Sequence, residues 1–170
     1  HYTTGAGPLC RLPGGICAVA TIHDIAFLHD PAWQSRIRCA YLRATVSRAA
    51  RVADRIFTDS APAAADIIKR LDIDPARVEV IPLGIDPPGC VSEQARRETL
   101  ARYGLPDRFV LHLGALEPRK NLIRLLYAYA RAESVCPWDL VIAGRPGWRA
   151  EETIHAARAL PCAHRIHLPG

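Results

Sequence analysis

The chain has 170 residues, of which 49% are hydrophobic, and a formal net charge of +5. No stretch approaches the roughly 20 apolar residues that cross a bilayer, and no signal-peptide pattern opens the chain, so neither a membrane-spanning nor a secreted protein is predicted. The excess of cations suits anionic partners, such as nucleotide diphosphates or acidic lipid surfaces, without choosing between them.

Six cysteines are scattered along the chain without a C-x-x-C pair: Cys10, Cys17, Cys39, Cys90, Cys136 and Cys162. This spacing is too thin for a disulfide framework, so we expect reduced, half-buried cysteines. A cytoplasmic location follows as the expectation.

The first predicted elements follow a loop at residues 1–15, which is rich in glycine and proline. Its Gly5-Ala6-Gly7 triplet precedes Pro8 rather than a helix, and is a poor dinucleotide-binding fingerprint. Residues 16–22 form an unbroken apolar run, typical of a parallel strand buried on both faces. His23 and Asp24 follow at its carboxyl end, where ligands gather in open α/β sheets.

A helix is predicted over residues 35–55, with an apolar stripe and a basic face. The stripe comprises Leu42, Val46, Ala49 and Ala53, and the basic face comprises Arg43, Arg48, Arg51 and Arg55. A basic amphipathic helix can lie on an anionic membrane, but an alanine-rich stripe would bury little area in lipid. Packing against the sheet is the favoured interpretation, and membrane docking is the alternative.

The rest of the chain alternates strands and helices. We predict strands at 56–58, 78–81, 109–113, 140–143 and 165–168, and helices at 61–71, 92–103, 121–132 and 150–160. Residues 82–89 are rich in proline and glycine and suit an interdomain connection. Strict alternation predicts right-handed βαβ units and parallel sheets, an α/β fold.

Two adjacent cations, Arg119 and Lys120, lie where the strand at 109–113, which we predict to be buried, gives way to a helix. Asn121 is a suitable N-cap for that helix, whose apolar residues Leu122, Leu125, Leu126 and Tyr129 recur at helical spacing. A helix N-terminus carries free N–H donors and a partial positive charge. The pair therefore predicts a phosphate or diphosphate site, against the alternative of two solvated surface cations.

Four segments carry a resemblance to a known family. Residues 117–121 (Glu-Pro-Arg-Lys-Asn) resemble an element of the family-4 retaining glycosyltransferases, and His23-Asp24 resembles that family's Thr-x-His-Asp segment. Residues 80–86 resemble its interdomain segment, and residues 140–148 its Leu-x-x-Ala-Gly-x-x-Gly-Trp segment. The matches occur in the expected order and span most of the chain.

The resemblance implies the GT-B fold, with two facing Rossmann-like domains and parallel sheets, both incomplete in this chain. Residues 1–86 would be the C-terminal part of the acceptor-side domain. Residues 87–170 would be the interdomain connection and the first half of the nucleotide-sugar-binding domain. The implied activity is retaining transfer of a sugar, with mannose the favoured one, from a nucleotide-diphosphate sugar to a glycan or lipid-linked acceptor.

The resemblance also assigns roles to residues. Gly114, Arg119 and Lys120 would bind the donor diphosphate, and His23 would contact the sugar near the reacting centre. The alternatives to these functional roles are that Gly114 is an ordinary turn glycine and that His23 has a purely structural role. Asp24, Glu117 and Asn121 would have supporting roles, Glu117 by orienting Arg119 or by ending the strand. No metal and no cofactor are implied, and the expected location is cytoplasmic, with peripheral contact at an anionic membrane and no nucleic-acid partner.

Two candidate metal sites are less favoured interpretations than the diphosphate site. Asp72 and Asp74 have the spacing of the metal-binding pair of the other major glycosyltransferase fold, but they run into Pro75 as a surface turn would. His23-Asp24 with His29-Asp30 could bind a divalent cation, although the helical spacing of a metallohydrolase is missing.

Residues 145–148 (Arg-Pro-Gly-Trp) could suggest stacking on a base. A turn capped by a buried Trp148 is the simpler prediction.

The family's pair of glutamates, separated by seven residues, does not occur in this sequence. In the family pattern that pair lies beyond Gly170, so we expect these 170 residues alone to be inactive. Two alternatives to the transferase stay open: another two-Rossmann sugar-nucleotide enzyme, such as an epimerase or phosphorylase, and a basic module that binds anionic membrane or nucleic acid.

Overall fold

The structure is a computed structural model that describes Cys10 and residues 13–170. The chain divides into two compact units, the first ending at Asp86 and the second beginning at Pro87. Each unit is an α/β structure with its own parallel sheet and its own hydrophobic core. The predicted α/β fold with parallel sheets is confirmed.

The first unit has the strand order β1-β2-β3, all parallel. Its elements in chain order are β1 (Val19–Thr21), α1 (Arg36–Val52), β2 (Arg55–Thr58), α2 (Ala61–Leu71) and β3 (Val78–Val80). The side chains of Ser35 and Ser60 accept hydrogen bonds from backbone N–H groups at the starts of α1 and α2. These caps explain why both helices begin where the sequence predicts.

The second unit has the strand order β4-β5-β6, also parallel. Its elements are α3 (Glu93–Tyr103), β4 (Phe109–Leu113), α4 (Leu122–Ala132), β5 (Asp139–Ala143), α5 (Ala150–Ala159) and β6 (Ile166–His167). Parallel pairing brings the carboxyl ends of β4 and β5 to the same edge, so the segments that follow them lie side by side.

Helix α1 packs on the sheet of its own unit. Val46, Ala50 and Ala53 are buried in one cluster with Ile56 of β2, which supports sheet packing over membrane docking for the apolar stripe. The basic face is shorter than predicted, because α1 ends at Val52 and Arg55 lies in β2. Within the described residues, no helix is long and apolar enough to span a membrane.

Three burial predictions were wrong. The predicted strand at residues 16–22 is not buried on both faces: Ala18, Ala20 and Ile22 are buried, whereas Val19 and Thr21 are only partly buried and Ile16, which precedes β1, is 58% exposed. β4 is also exposed, with Leu113 at 76%. Both strands lie at sheet edges in the described structure, where one side lacks a neighbour. The cysteines are free, as expected, but Cys10, Cys17 and Cys90 are exposed rather than half-buried.

A polar network centred on Asp139, the first residue of β5, connects the start of β5 to the segment around β6. Its carboxylate accepts from Arg165 Nε at 3.1 Å and pairs with His167 Nε2 at 2.7 Å. Arg165 also donates to the backbone oxygen of Cys136 at 2.9 Å. The hydrogen bond from His167, together with Arg165, lowers the pKa of Asp139 below its usual value although partial burial opposes this.

We expect Asp139→Asn to lower the free energy of unfolding at pH 7 by about 1–3 kcal/mol, because it leaves two donors without a charged acceptor. A depressed carboxyl pKa stabilises the fold above the unfolded-state pKa, near 3.9, and this contribution is lost as pH falls through the folded-state pKa. Urea unfolding from pH 7 down to pH 2.5 should therefore show the wild type losing its advantage over the variant in acid.

Asp107→Asn is the matched control, because Asp107 is 86% exposed and lies 3.8 Å from its arginine partner. It should change the free energy of unfolding by less than about 0.5 kcal/mol. A constant gap between wild type and Asp139→Asn across this pH range would contradict the lowered pKa.

Candidate functional site

Two loops run side by side at the carboxyl edge of the second sheet. We call residues 114–117 the first loop and residues 144–147 the second. Gly114 N–H donates to Ala143 O at 2.9 Å, Leu116 N–H to Arg145 O at 3.1 Å, and Gly147 N–H to Leu116 O at 3.3 Å. The loops thus extend the parallel pairing of β4 and β5 beyond the strands.

Glycines permit this close approach. A Cβ on Gly144 would lie 2.1 Å from Gly114 O, and a Cβ on Gly147 would lie 2.5 Å from Glu117 Cγ. Gly144 also has φ +150°, a conformation that side chains disfavour. The sequence analysis gave neither glycine a role, although their positions just after a predicted strand could have indicated one.

The two cations lie in a single 3₁₀ turn, Pro118–Lys120, directly before α4. Asn121 occupies the N-cap position, but its backbone is left-handed (φ 55°) and its side chain makes no capping hydrogen bond. The prediction of a side-chain cap was therefore wrong, because Asn121 serves as the left-handed end of the 3₁₀ turn. The start of α4 has no side-chain acceptor, and Arg124 N–H donates to Asn121 O at 3.1 Å, so among the described residues only the N–H groups of Leu122 and Ile123 are left without an acceptor there.

Glu117 fixes Arg119. The Nε of Arg119 lies 2.9 Å from Glu117 Oε2, and the arginine side chain remains 38% exposed. One edge of the guanidinium is thus held by the carboxylate while other donors stay available. This ion pair is compatible with the orienting role predicted for Glu117, which stays a prediction.

Gly114 leaves a space on which two nitrogen-bearing side chains converge. With φ +155°, it has a conformation suited to glycine, and a Cβ there would lie 3.4 Å from His112 Nε2 and 4.0 Å from Lys120 Nζ. His112 Nε2 is a buried nitrogen without a hydrogen-bond partner among the described residues. Buried polar atoms normally have partners, so this nitrogen is a candidate donor to a bound anion. His112 was not among the predicted site residues, because it lies inside the apolar run of a strand.

The predicted site residues of the first unit follow β1. His23 Nδ1 lies 2.8 Å from Asp59 Oδ2, and the His23 side chain is 52% exposed. Asp24 instead accepts a hydrogen bond from Ala26 N–H at 3.0 Å and so shapes the turn after the strand. His23 is available to a ligand, and its carboxylate partner is Asp59, which the sequence analysis did not identify.

The other metal candidates have structural roles. Asp72 is the left-handed C-cap of α2, and Asp74 accepts from Ala76 N–H at 2.9 Å, as a surface turn predicts. His29 pairs with Asp66, and Asp30 caps Ala32 N–H at 2.8 Å. No group of three or more metal-binding side chains occurs among the described residues.

Trp148 is 46% exposed, so the prediction that it caps the turn as a buried aromatic was wrong. Its exposure follows from its place in the turn between the second loop and α5.

The two parallel sheets, with paired loops at the carboxyl edge of the second, define a two-unit α/β fold. The structure resembles HepE of Anabaena, solved in complex with UDP and glucose, with a TM-score of 0.64 at 20% sequence identity, over 89% of this chain and 40% of that one. The family model for Glycosyltransferase Family 4 matches residues 1–88, just over half of the chain. The chain belongs to this family.

Curated relatives agree with this assignment. The chain is 28% identical over 152 residues to O-antigen chain mannosyltransferase B of Escherichia coli, covering 84% of this chain and 39% of that protein. It is 32% identical over 130 residues to a D-inositol 3-phosphate glycosyltransferase of Salinispora tropica, covering 67% of this chain and 27% of that protein. The chain thus spans well under half the length of either relative.

Proposed function

We propose that the protein carrying this chain transfers a sugar, with retention of configuration, from a nucleoside-diphosphate sugar to a glycan or lipid-linked acceptor. The observation that carries the proposal is the convergence of His112 Nε2 and Lys120 Nζ on the space beside Gly114. A space lined by nitrogen donors and left open by a glycine suits a phosphate oxygen.

In this proposal the diphosphate is the leaving group, and its growing negative charge must be neutralised as the bond to the sugar breaks. Arg119 would grip phosphate oxygens through its free donors, and Lys120 would act as a mobile point charge. The uncapped start of α4 adds the dipole of a helix end. Preorganised charge of this kind supplies several kcal/mol to a transition state without requiring a metal or cofactor.

His23 is assigned to the sugar rather than to the phosphates. It follows the carboxyl end of a parallel strand and is half exposed, as a ligand-contacting residue must be. Mannose is the proposed sugar, supported by relatives named mannosyltransferases. The name of the O-antigen relative supports a growing polysaccharide as acceptor.

The test uses the full-length protein, nucleoside-diphosphate mannoses and glucoses as donors, and mannose oligosaccharides as acceptors. We expect free nucleoside diphosphate together with a lengthened glycan whose new linkage keeps the donor's anomeric configuration by NMR, and activity that survives EDTA. An epimerised donor, or release of a sugar 1-phosphate when phosphate is added to the glycan, would instead indicate an epimerase or a phosphorylase.

A further inference from the structure

We propose that Asp59 is a positioning residue that fixes the tautomer of His23, so that His23 Nε2 accepts a hydrogen bond from a sugar hydroxyl. The role in sugar binding rests on the proposed function. The tautomer itself does not, because it follows from the contact between the two side chains.

The fold brings the two residues together from distant positions in the sequence. In the parallel pairing of β1 and β2, Thr21 is opposite Phe57, and Ile22 N–H donates to Phe57 O at 2.8 Å. His23 and Asp59 therefore leave neighbouring strands at the same edge of the sheet. Their side chains meet with 2.8 Å between His23 Nδ1 and Asp59 Oδ2.

The chemistry of the contact decides which ring nitrogen carries the proton. An ionised carboxylate can only accept, so Nδ1 must be the protonated nitrogen. In a neutral imidazole the other nitrogen then has a free lone pair. Nε2 makes no hydrogen bond to a described residue, so it is available as an acceptor.

With Nδ1 protonated, His23 offers a hydrogen-bond acceptor at Nε2, whereas Arg119 and Lys120 offer only donors. An acceptor nitrogen repels phosphate oxygens but matches the O–H donors that a sugar carries. The adjacent carboxylate, Asp24, accepts from Ala26 N–H, whereas Asp59 is the carboxylate that contacts the His23 ring. We therefore assign the orienting role to Asp59.

The first test is ¹⁵N NMR of histidine side chains at a pH where His23 is neutral. The wild type should show His23 predominantly with Nδ1 protonated, and Asp59→Ala should shift it toward the Nε2-protonated form that free histidine favours. Asp66→Asn is the matched control, since it changes the partner of His29 and should leave His23 unaffected. An unchanged His23 tautomer in Asp59→Ala would overturn the inference.

The second test is kinetic and uses the full-length protein with a nucleoside-diphosphate mannose. Asp59→Ala and the isosteric Asp59→Asn should each lower kcat about 10- to 100-fold, with little change in the donor KM, because a misplaced group costs rate rather than diphosphate affinity. A shifted tautomer with unchanged kcat would overturn the positioning role. A wild type that transfers no sugar would count against the proposed function and leave the NMR result standing as the test of the tautomer.

Discussion

The full-length protein with Arg119→Ala and Lys120→Ala should bind a nucleoside diphosphate about 100-fold or more weakly than the wild type. In the proposed function each cation makes a charge-assisted contact with the diphosphate worth about 1.5–3 kcal/mol, so removing both should lower the affinity by at least two powers of ten. Both side chains are exposed, and both lie in the turn that opens α4. Isothermal titration calorimetry with UDP and GDP measures the change.

Lys69→Ala combined with Arg102→Ala is the matched control. It removes the same charges from exposed positions in the last turns of α2 and α3. Its affinity should stay within about twofold of wild type at 0.15 M salt, because neither residue belongs to the paired loops or to the turn before α4, and salt screens the general attraction of exposed charges. Equal losses in the two double variants would indicate nonspecific attraction by net charge and contradict a diphosphate site at this turn.

Gly144→Ala should strongly destabilise the second unit. Its Cβ would lie 2.1 Å from Gly114 O and 2.5 Å from Gly114 C, which are backbone atoms that cannot turn away as a side chain can. The positive φ adds about 1–3 kcal/mol of strain. We expect a loss of at least about 3 kcal/mol in the free energy of unfolding, measured in urea, and loss of diphosphate binding as Gly114 is displaced.

Gly104→Ala is the matched control, because it introduces the backbone strain of a positive φ without a steric clash. Gly104 also has a positive φ (+62°), but nothing lies within 4 Å of its Cβ position. It should cost about 1 kcal/mol and leave binding unchanged. If Gly144→Ala were as mild as this control, the close packing of the two loops would be wrong.

Local patterns in the sequence were sufficient for the secondary structure. The helix Ala61–Leu71 and the strand Phe109–Leu113 have the predicted bounds, because a serine cap, a first-turn proline and a short apolar run determine them within a few residues. Strict alternation of strands and helices then sufficed for the α/β class and the parallel pairing.

Properties that depend on sheet neighbours could not be read from the sequence. An apolar run predicts a strand, but its burial depends on which strands lie beside it, so the exposure of Leu113 was missed. Asn121 is a common N-cap residue and also tolerates the left-handed region, and the sequence does not decide between these uses.

The candidate sites were predicted only in part. Arg119 and Lys120 could be proposed from the sequence because they form a compact motif at a predicted helix start. Asp59 and His112 were missed for a physical reason. Asp59 reaches His23 across 36 residues of sequence through the pairing of β1 and β2. His112 is noticeable only once the fold is known, because its buried Nε2 has no hydrogen-bond partner among the described residues.

The most direct test of the account is to map a nucleoside diphosphate onto the backbone amides by ¹⁵N–¹H NMR titration. The account places the diphosphate beside Gly114, within reach of Lys120 and the start of α4. It predicts the largest shifts at the amides of Gly114, Lys120 and Leu122. Shifts confined to the basic face of α1, around Arg43 and Arg51, would contradict it.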